Sequence, residues 1–189
     1  MKIIWKQNGE NSLVENNLLK NKQLKMNSPA QPGQTINAPE DNVILLVHDH
    51  LDLFNMNRIN VDNKFVAFFF FTMDNAVDLE DIYDIHSKLM KFRETGCSVI
   101  GICADNAYVL EKMKEKEVGF PILCDTSYIY AKAFGINKTD ELPSRATFIM
   151  ERKSRKIKYS KIYDEDSKRD IDSYLNVIEE LILFPEAED

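Results

Sequence analysis

One strand-to-helix junction constrains the fold of this chain more than any other feature of its sequence. Residues 65–71 read Phe-Val-Ala-Phe-Phe-Phe-Phe, an unbroken apolar run. Such a run is typical of a strand that is buried on both faces, because a strand with one wet face alternates apolar and polar residues. The sequence therefore predicts a central sheet that is covered on both sides.

A helix is predicted directly after this strand, beginning near Asp78. Apolar residues recur there at nearly the helical period, at Leu79, Ile82, Ile85, Leu89 and Phe92. A helix N-terminus carries unpaired backbone N–H groups that favour a negative charge, and Asp78 is placed to supply it. In the simplest interpretation Asp78 is only the N-cap residue. The acidic residues that follow are interpreted as a solvated helix face: Glu80, Asp81 and Asp84.

The remaining sequence alternates strand-like and helix-like segments. Strands are predicted at 43–47, 97–104, 121–123, 145–150 and 156–163, and helices at 106–117, 127–134 and 167–184. Ser167 and Asp170 have the spacing of a capping box at the start of the last helix. The predicted fold class is α/β, with a mixed central sheet flanked by helices.

The chain has 189 residues, of which 44% are apolar, enough for one domain with a proper core. Residues 1–30 are polar and rich in asparagine, and they are predicted to form an N-terminal extension. Residues 31–189 are predicted to form the domain itself.

These elements, in this order, resemble the peroxiredoxins, the alkyl hydroperoxide reductase and thiol-specific antioxidant family. The resemblance runs from about residue 30 to residue 183 and is carried by segments 96–105, 120–125, 131–136 and 145–149. It implies a thioredoxin-like fold. The family's active-site loop reads Pro-x-x-x-Thr-x-x-Cys, and its cysteine reduces peroxide. Laid on this chain without a gap, the motif falls on Phe71, Asn75 and Asp78, so all three motif residues are changed.

The resemblance also implies that Arg145 corresponds to the family's active-site arginine. We expect Asp78 to pair with Arg145 and to imitate a thiolate or a sulfinic acid in the old pocket. A carboxylate lacks the nucleophilicity of a thiolate toward an O–O bond. The sequence thus predicts a peroxiredoxin-like protein without peroxidase chemistry that acts by binding or assembly. A homodimer is what the resemblance implies, and a further protein partner is left open.

The alternative is a thiol-dependent peroxidase or oxidoreductase that uses a cysteine elsewhere in the chain. Cys103 and Cys124 are the candidates, because the C-terminal ends of strands face the functional rim in folds of this kind. Cys97 is interpreted as a small buried hydrophobe. The sequence therefore leaves open whether the chain is an enzyme.

Composition excludes several other classes. A net charge of −7 argues against general nucleic-acid binding, and no run of roughly 18 apolar residues predicts a membrane span. Three cysteines without metal-ligand spacing favour a reducing, cytoplasmic compartment. No metal or cofactor is expected, since His48 and His50 are interpreted as a surface turn. The basic hairpin at 152–161 is interpreted as a solvated sheet edge guarded by lysines.

Overall fold

The computed structural model describes residues 28–37, 39, 43–47, 50–54, 56, 62–72, 75–104, 118–136 and 145–185. The predicted helix at 106–117, the side chains of the two histidines at 48 and 50, and nearly all of the predicted N-terminal extension lie outside what is described. Within the described residues, no helix is both long enough and apolar enough to span a bilayer.

Seven strands and four helices are found in the described part of the chain. They are β1 (Val43–Val47), β2 (His50–Phe54), β3 (Phe65–Phe71), α1 (Ala76–Ser87), α2 (Leu89–Glu94), β4 (Cys97–Cys103), β5 (Ile122–Cys124), α3 (Ile129–Ala133), β6 (Arg145–Glu151), β7 (Ile157–Tyr163) and α4 (Ile171–Leu183). The strands form one sheet in the order β2-β1-β5-β4-β3-β6-β7. Strands β3, β4 and β5 run parallel, and the other pairings are antiparallel. The predicted mixed α/β sheet is confirmed.

Strand β3 lies in the middle of the sheet, and all seven of its residues are buried. Its side chains alternate between two hydrophobic cores, as the pleat of a strand requires. Phe69 packs in the core beneath α1, α2 and α4, whereas Phe68 packs in the core beneath α3. This arrangement explains why the strand carries no polar residue.

The helix pattern after β3 is confirmed in its packing. Ile82, Ile85 and Phe92 are buried in the first core, and Leu79 and Leu89 pack against it half-buried. The path from β3 into α1 therefore fixes the side of the sheet on which the helix lies, and it places the helix N-terminus at the C-terminal end of β3.

Several elements differ from the sequence prediction, and the single helix expected from Asp78 to Phe92 is divided into α1 and α2. Strand β2 was not predicted at all, and α4 begins at Ile171 rather than at Ser167. The N-cap of α4 is Asp170, whose carboxylate accepts the backbone N–H of Ser173 at 3.2 Å. The predicted capping box between Ser167 and Asp170 is therefore wrong. The residues before Asp170 instead fold over the guanidinium group of Arg145, which donates to their backbone carbonyls.

The basic sheet edge is partly covered. The backbone N–H of Gly33 donates to the carbonyl of Ile157 at 2.8 Å, and the N–H of Ile36 donates to that of Arg155 at 2.9 Å. The start of β7 is thus shielded by the segment around residue 35, while Lys161 farther along the strand is exposed. The interpretation as a fully solvated edge is wrong for the first residues of β7.

Candidate functional site

The loop between β3 and α1 places the first residues of the candidate site. Asn75 is the N-cap of α1, and its side-chain oxygen accepts the backbone N–H groups of Val77 at 2.8 Å and Asp78 at 3.2 Å. Its amide group donates to the carbonyl of Glu165 at 2.9 Å. The helix therefore begins before Asp78, and the interpretation of Asp78 as the N-cap residue is wrong.

Asp78 lies in the first turn of α1 and is fully buried, with 0% of its surface exposed. One carboxylate oxygen accepts the backbone N–H of Thr72 at 2.9 Å. The other accepts Nε of Arg145 at 2.7 Å and Nη1 of Arg169 at 2.6 Å. The predicted ion pair between Asp78 and Arg145 is present, and a second arginine joins it.

Asp81 belongs to the same buried cluster, which corrects its interpretation as part of a solvated face. Its exposed surface is also 0%. Its carboxylate accepts Nη2 of Arg145 at 3.0 Å, Nη1 of Arg169 at 2.8 Å and the backbone N–H of Arg169 at 3.1 Å. The physical reason is helical geometry: residues three apart lie on one face, so Asp81 follows Asp78 into the core.

The other two acidic residues of the predicted face behave as expected. Glu80 forms an ion pair with Lys168 at 3.4 Å in which both side chains are exposed. Asp84 forms one with Lys88 at 3.1 Å. The solvated side of α1 therefore carries Glu80 and Asp84, and the buried side carries the two aspartates of the cluster.

Arg145 is the first residue of β6, beside the end of β3, because Ala146 pairs with Phe70. Besides the two carboxylates, its Nη1 donates to the backbone carbonyls of Asp164 at 2.5 Å, Glu165 at 3.0 Å and Ser167 at 2.9 Å. The segment between β7 and α4 is thus folded over the guanidinium group, and only 5% of the surface of Arg145 is exposed. This contact explains why α4 starts late.

Arg169 is the member of the buried cluster that the sequence does not predict. It is buried, and its Nη2 donates to the carbonyl of Phe70 while its Nε donates to the hydroxyl of Thr147 at 3.3 Å. No local pattern marks it, since it stands between Lys168 and Asp170 in a polar stretch that looks solvated. Its only sequence signal is its place just before the last helix.

A chain of hydroxyl groups supports Arg169 from the side. The hydroxyl of Thr147 donates to that of Tyr174 at 3.3 Å, and the hydroxyls of Tyr174 and Tyr163 are in hydrogen-bond contact. The Arg169 guanidinium lies over the Tyr163 ring, 5.2 Å from its centroid. Burial raises the pKa of Tyr163, and it raises the pKa of Tyr174 to about 12. Both phenols therefore stay protonated beside the cation.

The cluster of Asp78, Asp81, Arg145 and Arg169, called here the buried charge cluster, balances two negative charges with two positive ones. Each ion pair is 3.0 Å or shorter. A cavity of about 490 Å³ lies toward the other end of the sheet, where it is lined by residues such as Phe92, Cys97 and Phe120. The cavity and the charge cluster are therefore separate features of the molecule.

The three cysteines are all buried and none forms a disulfide. Burial raises the pKa of the Cys97 thiol to about 12, so this residue is inert as a nucleophile. Cys103 and Cys124 end neighbouring strands and are directly paired in the register of β4 and β5. Phe71 is paired with Cys103 on the other side. Among the residues described here, no group of three or more His, Cys, Asp or Glu side chains is placed to hold a metal.

The parallel β3-β4-β5 core with its antiparallel β6-β7 hairpin defines an α/β protein of the thioredoxin-like class. A sequence model of the AhpC/TSA family matches residues 48–160, more than half of the chain. The chain belongs to this family, the peroxiredoxins. The family resemblance drawn from the sequence is confirmed.

Individual relatives agree with this assignment. Peroxiredoxin-1 of Gekko japonicus is 29% identical over 126 residues, and Peroxiredoxin-2 of Macaca fascicularis is 27% identical over 126 residues. Each match covers 61% of this chain and 63% of the relative, so the chain spans less than two thirds of the length of these relatives.

Solved structures show the same fold. The reduced 2-Cys peroxiredoxin of Plasmodium vivax has a TM-score of 0.73 at 16% identity, covering 82% of this chain and 83% of that one. AhpC of Mycobacterium tuberculosis has a TM-score of 0.72 at 17% identity, covering 82% of this chain and 94% of that one. The predicted peroxiredoxin-type, thioredoxin-like fold is confirmed.

Proposed function

We propose that this peroxiredoxin-family protein lacks the peroxidatic cysteine, has no peroxidase activity and acts by binding or assembly. The observation that carries the proposal is the buried carboxylate of Asp78, which accepts hydrogen bonds from Arg145 at 2.7 Å and from Arg169 at 2.6 Å. A carboxylate supplies the negative charge that a thiolate would bring to this position. It does not attack an O–O bond, because that reaction needs a thiolate.

The neighbours of Asp78 support the same conclusion. Phe71, at the motif position of proline, is buried in the hydrophobic core. Asn75, at the motif position of threonine, uses its side chain to cap α1 and to donate a hydrogen bond to the carbonyl of Glu165. Neither residue offers a hydroxyl group to a substrate. A peroxide that entered here would have to displace Asp78 from both guanidinium groups, at the cost of leaving a buried charge unpaired.

The first test is a steady-state assay of hydroperoxide consumption with a dithiol reductant. We expect the wild-type protein to show no turnover above the reductant alone, and we expect the same of the Asp78→Ala variant. Turnover in the wild-type protein that survives in Asp78→Ala and disappears in Cys124→Ser would overturn the proposal. A peroxiredoxin with an intact motif, assayed in parallel, shows that the reductant is adequate.

That outcome would favour the second candidate, a thiol oxidoreductase that uses Cys103 or Cys124. The observation in its favour is that these two thiols are directly paired on adjacent strands at the end of the sheet that holds the buried charge cluster. Against it stands their burial, with 1% of Cys103 and 4% of Cys124 exposed. A buried thiol in apolar surroundings is a poor nucleophile.

We also propose a cytoplasmic homodimer, with a further protein partner left open. Large apolar side chains are exposed on consecutive helices, with Tyr83 on α1 47% exposed and Met90 on α2 62% exposed. A contiguous apolar patch marks a protein contact, and we propose that these two side chains belong to one. All three cysteines are thiols, as a reducing compartment favours.

Light scattering coupled to gel filtration tests the dimer. We expect twice the mass of one chain, and we expect Tyr83→Asp with Met90→Asp to shift the protein toward the monomer, because charges are costly in a buried interface. Asn176→Asp, which places the same charge at an exposed polar site on α4, is the control and should leave the mass unchanged. A wild-type protein that elutes as a monomer at all concentrations contradicts the proposal.

A further inference from the structure

We propose that the cavity beside β4 is a binding site for an N-acyl amino acid, a small molecule with an apolar acyl chain, one amide group and one free carboxylate. The site lies outside the buried charge cluster and goes beyond the function proposed above. Neither the peroxidase assay nor the mass measurement bears on it, so the proposals fail or succeed separately.

The cavity follows one edge of β4. Strand β4 begins at Cys97, whereas β5 begins only opposite Gly101. The chain before β5 turns away from the sheet toward α1, where the N–H of Gly119 donates to Nδ1 of His86 at 2.9 Å. In the described part of the chain, no strand therefore pairs with the first four residues of β4 on this side. All four of them line the cavity: Cys97, Ser98, Val99 and Ile100.

The backbone of Val99 offers both a donor and an acceptor to the cavity. Farther along β4, the N–H of Gly101 donates to the carbonyl of Pro121 at 2.9 Å, on the side of β5. The carbonyl of Cys103 accepts the N–H of Asp125 at 2.7 Å on the same side. Alternate residues of a strand direct their backbone groups to the same side, so Val99 directs its N–H and C=O into the cavity.

An N-acyl amino acid matches this edge as one residue of an antiparallel strand. In such a pair, two residues exchange both of their backbone hydrogen bonds. The ligand amide donates to the carbonyl of Val99, and one carboxylate oxygen accepts the N–H of Val99. This orientation directs the carboxylate toward the start of β4 and the acyl chain toward β5.

The start of β4 is also where the cavity has a cation. Arg93 stands in the last turn of α2, just before β4, and lines the cavity. Within the described residues it forms no ion pair, and its guanidinium contacts the sulfur of Met90 at 4.0 Å. Asp52 lines the cavity from β2, where its carboxylate accepts the N–H of Leu53 at 2.7 Å. An arginine binds a carboxylate by strong charge-assisted hydrogen bonds, so Arg93 selects an anion at this end.

The rest of the cavity suits an acyl chain. Its volume of about 490 Å³ lies within the range of about 300–1,000 Å³ that is usual for small-molecule sites. Apolar side chains from both hydrophobic cores line it, Phe92 and Phe120 from the first and Leu45 and Phe54 from the second. The cavity therefore passes from one face of the sheet to the other beside β4, and a slender, flexible chain can follow it.

Isothermal titration calorimetry with N-octanoyl-L-leucine tests the site on the wild-type protein. We expect one ligand per chain, with saturation below about 1 mM. Longer acyl chains should bind about fourfold more tightly for each methylene that enters the cavity. The neutral carboxamide analogue should bind about tenfold more weakly, and the N-methyl analogue, which lacks the amide N–H, about threefold to tenfold more weakly.

Arg93→Gln ties the carboxylate to its partner. This variant should bind N-octanoyl-L-leucine about tenfold more weakly and bind the carboxamide analogue as the wild-type protein does. Lys91→Gln is the matched control, because Lys91 is an exposed cation in the same turn of α2, and it should leave both affinities unchanged.

Three results would overturn the proposal. The first is a wild-type protein that shows no saturable binding of N-octanoyl-L-leucine. The second is equal affinity for this ligand and its carboxamide and N-methyl analogues, and the third is an Arg93→Gln variant that binds it as tightly as Lys91→Gln does.

Discussion

Replacing Arg145 with methionine is expected to lower the free energy of unfolding by about 3–5 kcal/mol, the usual cost of breaking a buried ion pair from one side. The substitution removes one of the two positive charges that balance Asp78 and Asp81, and it leaves an uncompensated negative charge where 0% of either aspartate is exposed. It also removes the donor from three backbone carbonyls between β7 and α4. Denaturant unfolding measures the change.

Two further variants separate this effect from a general loss of charge. Lys168→Met breaks an ion pair with Glu80 in which both side chains are exposed, and it should cost less than about 1 kcal/mol. The double substitution of Asp78→Asn with Arg145→Met should be less destabilising than the sum of the two single changes, because each single change strands the other partner. Additive effects, or a loss in Arg145→Met no larger than in Lys168→Met, would mean that the buried charge cluster does not hold this part of the fold together.

The elements that the sequence predicted correctly are those whose signal is local. The apolar run of β3 and the helical period of α1 are patterns of neighbouring residues along the chain. A strand that is apolar on both faces must lie inside a sheet that is covered on both sides, so its place in the fold follows from its own residues. Strand β2 is not predicted because the turn expected at residues 48–50 covers its first residue and leaves only a four-residue segment after it, whereas in the structure His50–Phe54 is ordered by pairing with β1.

The buried charge cluster shows what a single sequence does not reveal. Its pair of Asp78 and Arg145 was predicted only through the family resemblance, since the two residues are 67 positions apart. The sequence predicts Asp81 at the surface because charged side chains are almost never fully buried unless they are paired. Its partner Arg169 stands 88 positions away, and nothing in the local pattern of either residue reports the other.

The second large effect concerns the chemistry of the anion position. In Asp78→Cys the cluster keeps two guanidinium groups but only one carboxylate, and the backbone N–H of Thr72 still points at the vacated position. The excess positive charge favours the thiolate. We expect the pKa of the new thiol to fall from the free value of about 8.5 to below about 7, the range of thiols activated by cations and helix N-termini.

Glu80→Cys is the matched control for this experiment. Residue 80 lies on the same first turns of α1 but on the exposed side, with its carboxylate 3.4 Å from Nζ of Lys168. Its thiol should titrate close to the free value, so the difference between the two variants isolates the effect of the buried guanidinium groups from that of the helix N-terminus. Subtracting the wild-type titration removes the contribution of the three native cysteines.

The titration of these two thiols by ultraviolet absorbance is the most direct test of the central claim, which is that Asp78 occupies a position built to stabilise a reactive anion. The account predicts a thiol pKa in Asp78→Cys that is at least one unit below that in Glu80→Cys. An Asp78→Cys thiol that titrates at or above the Glu80→Cys value would contradict it.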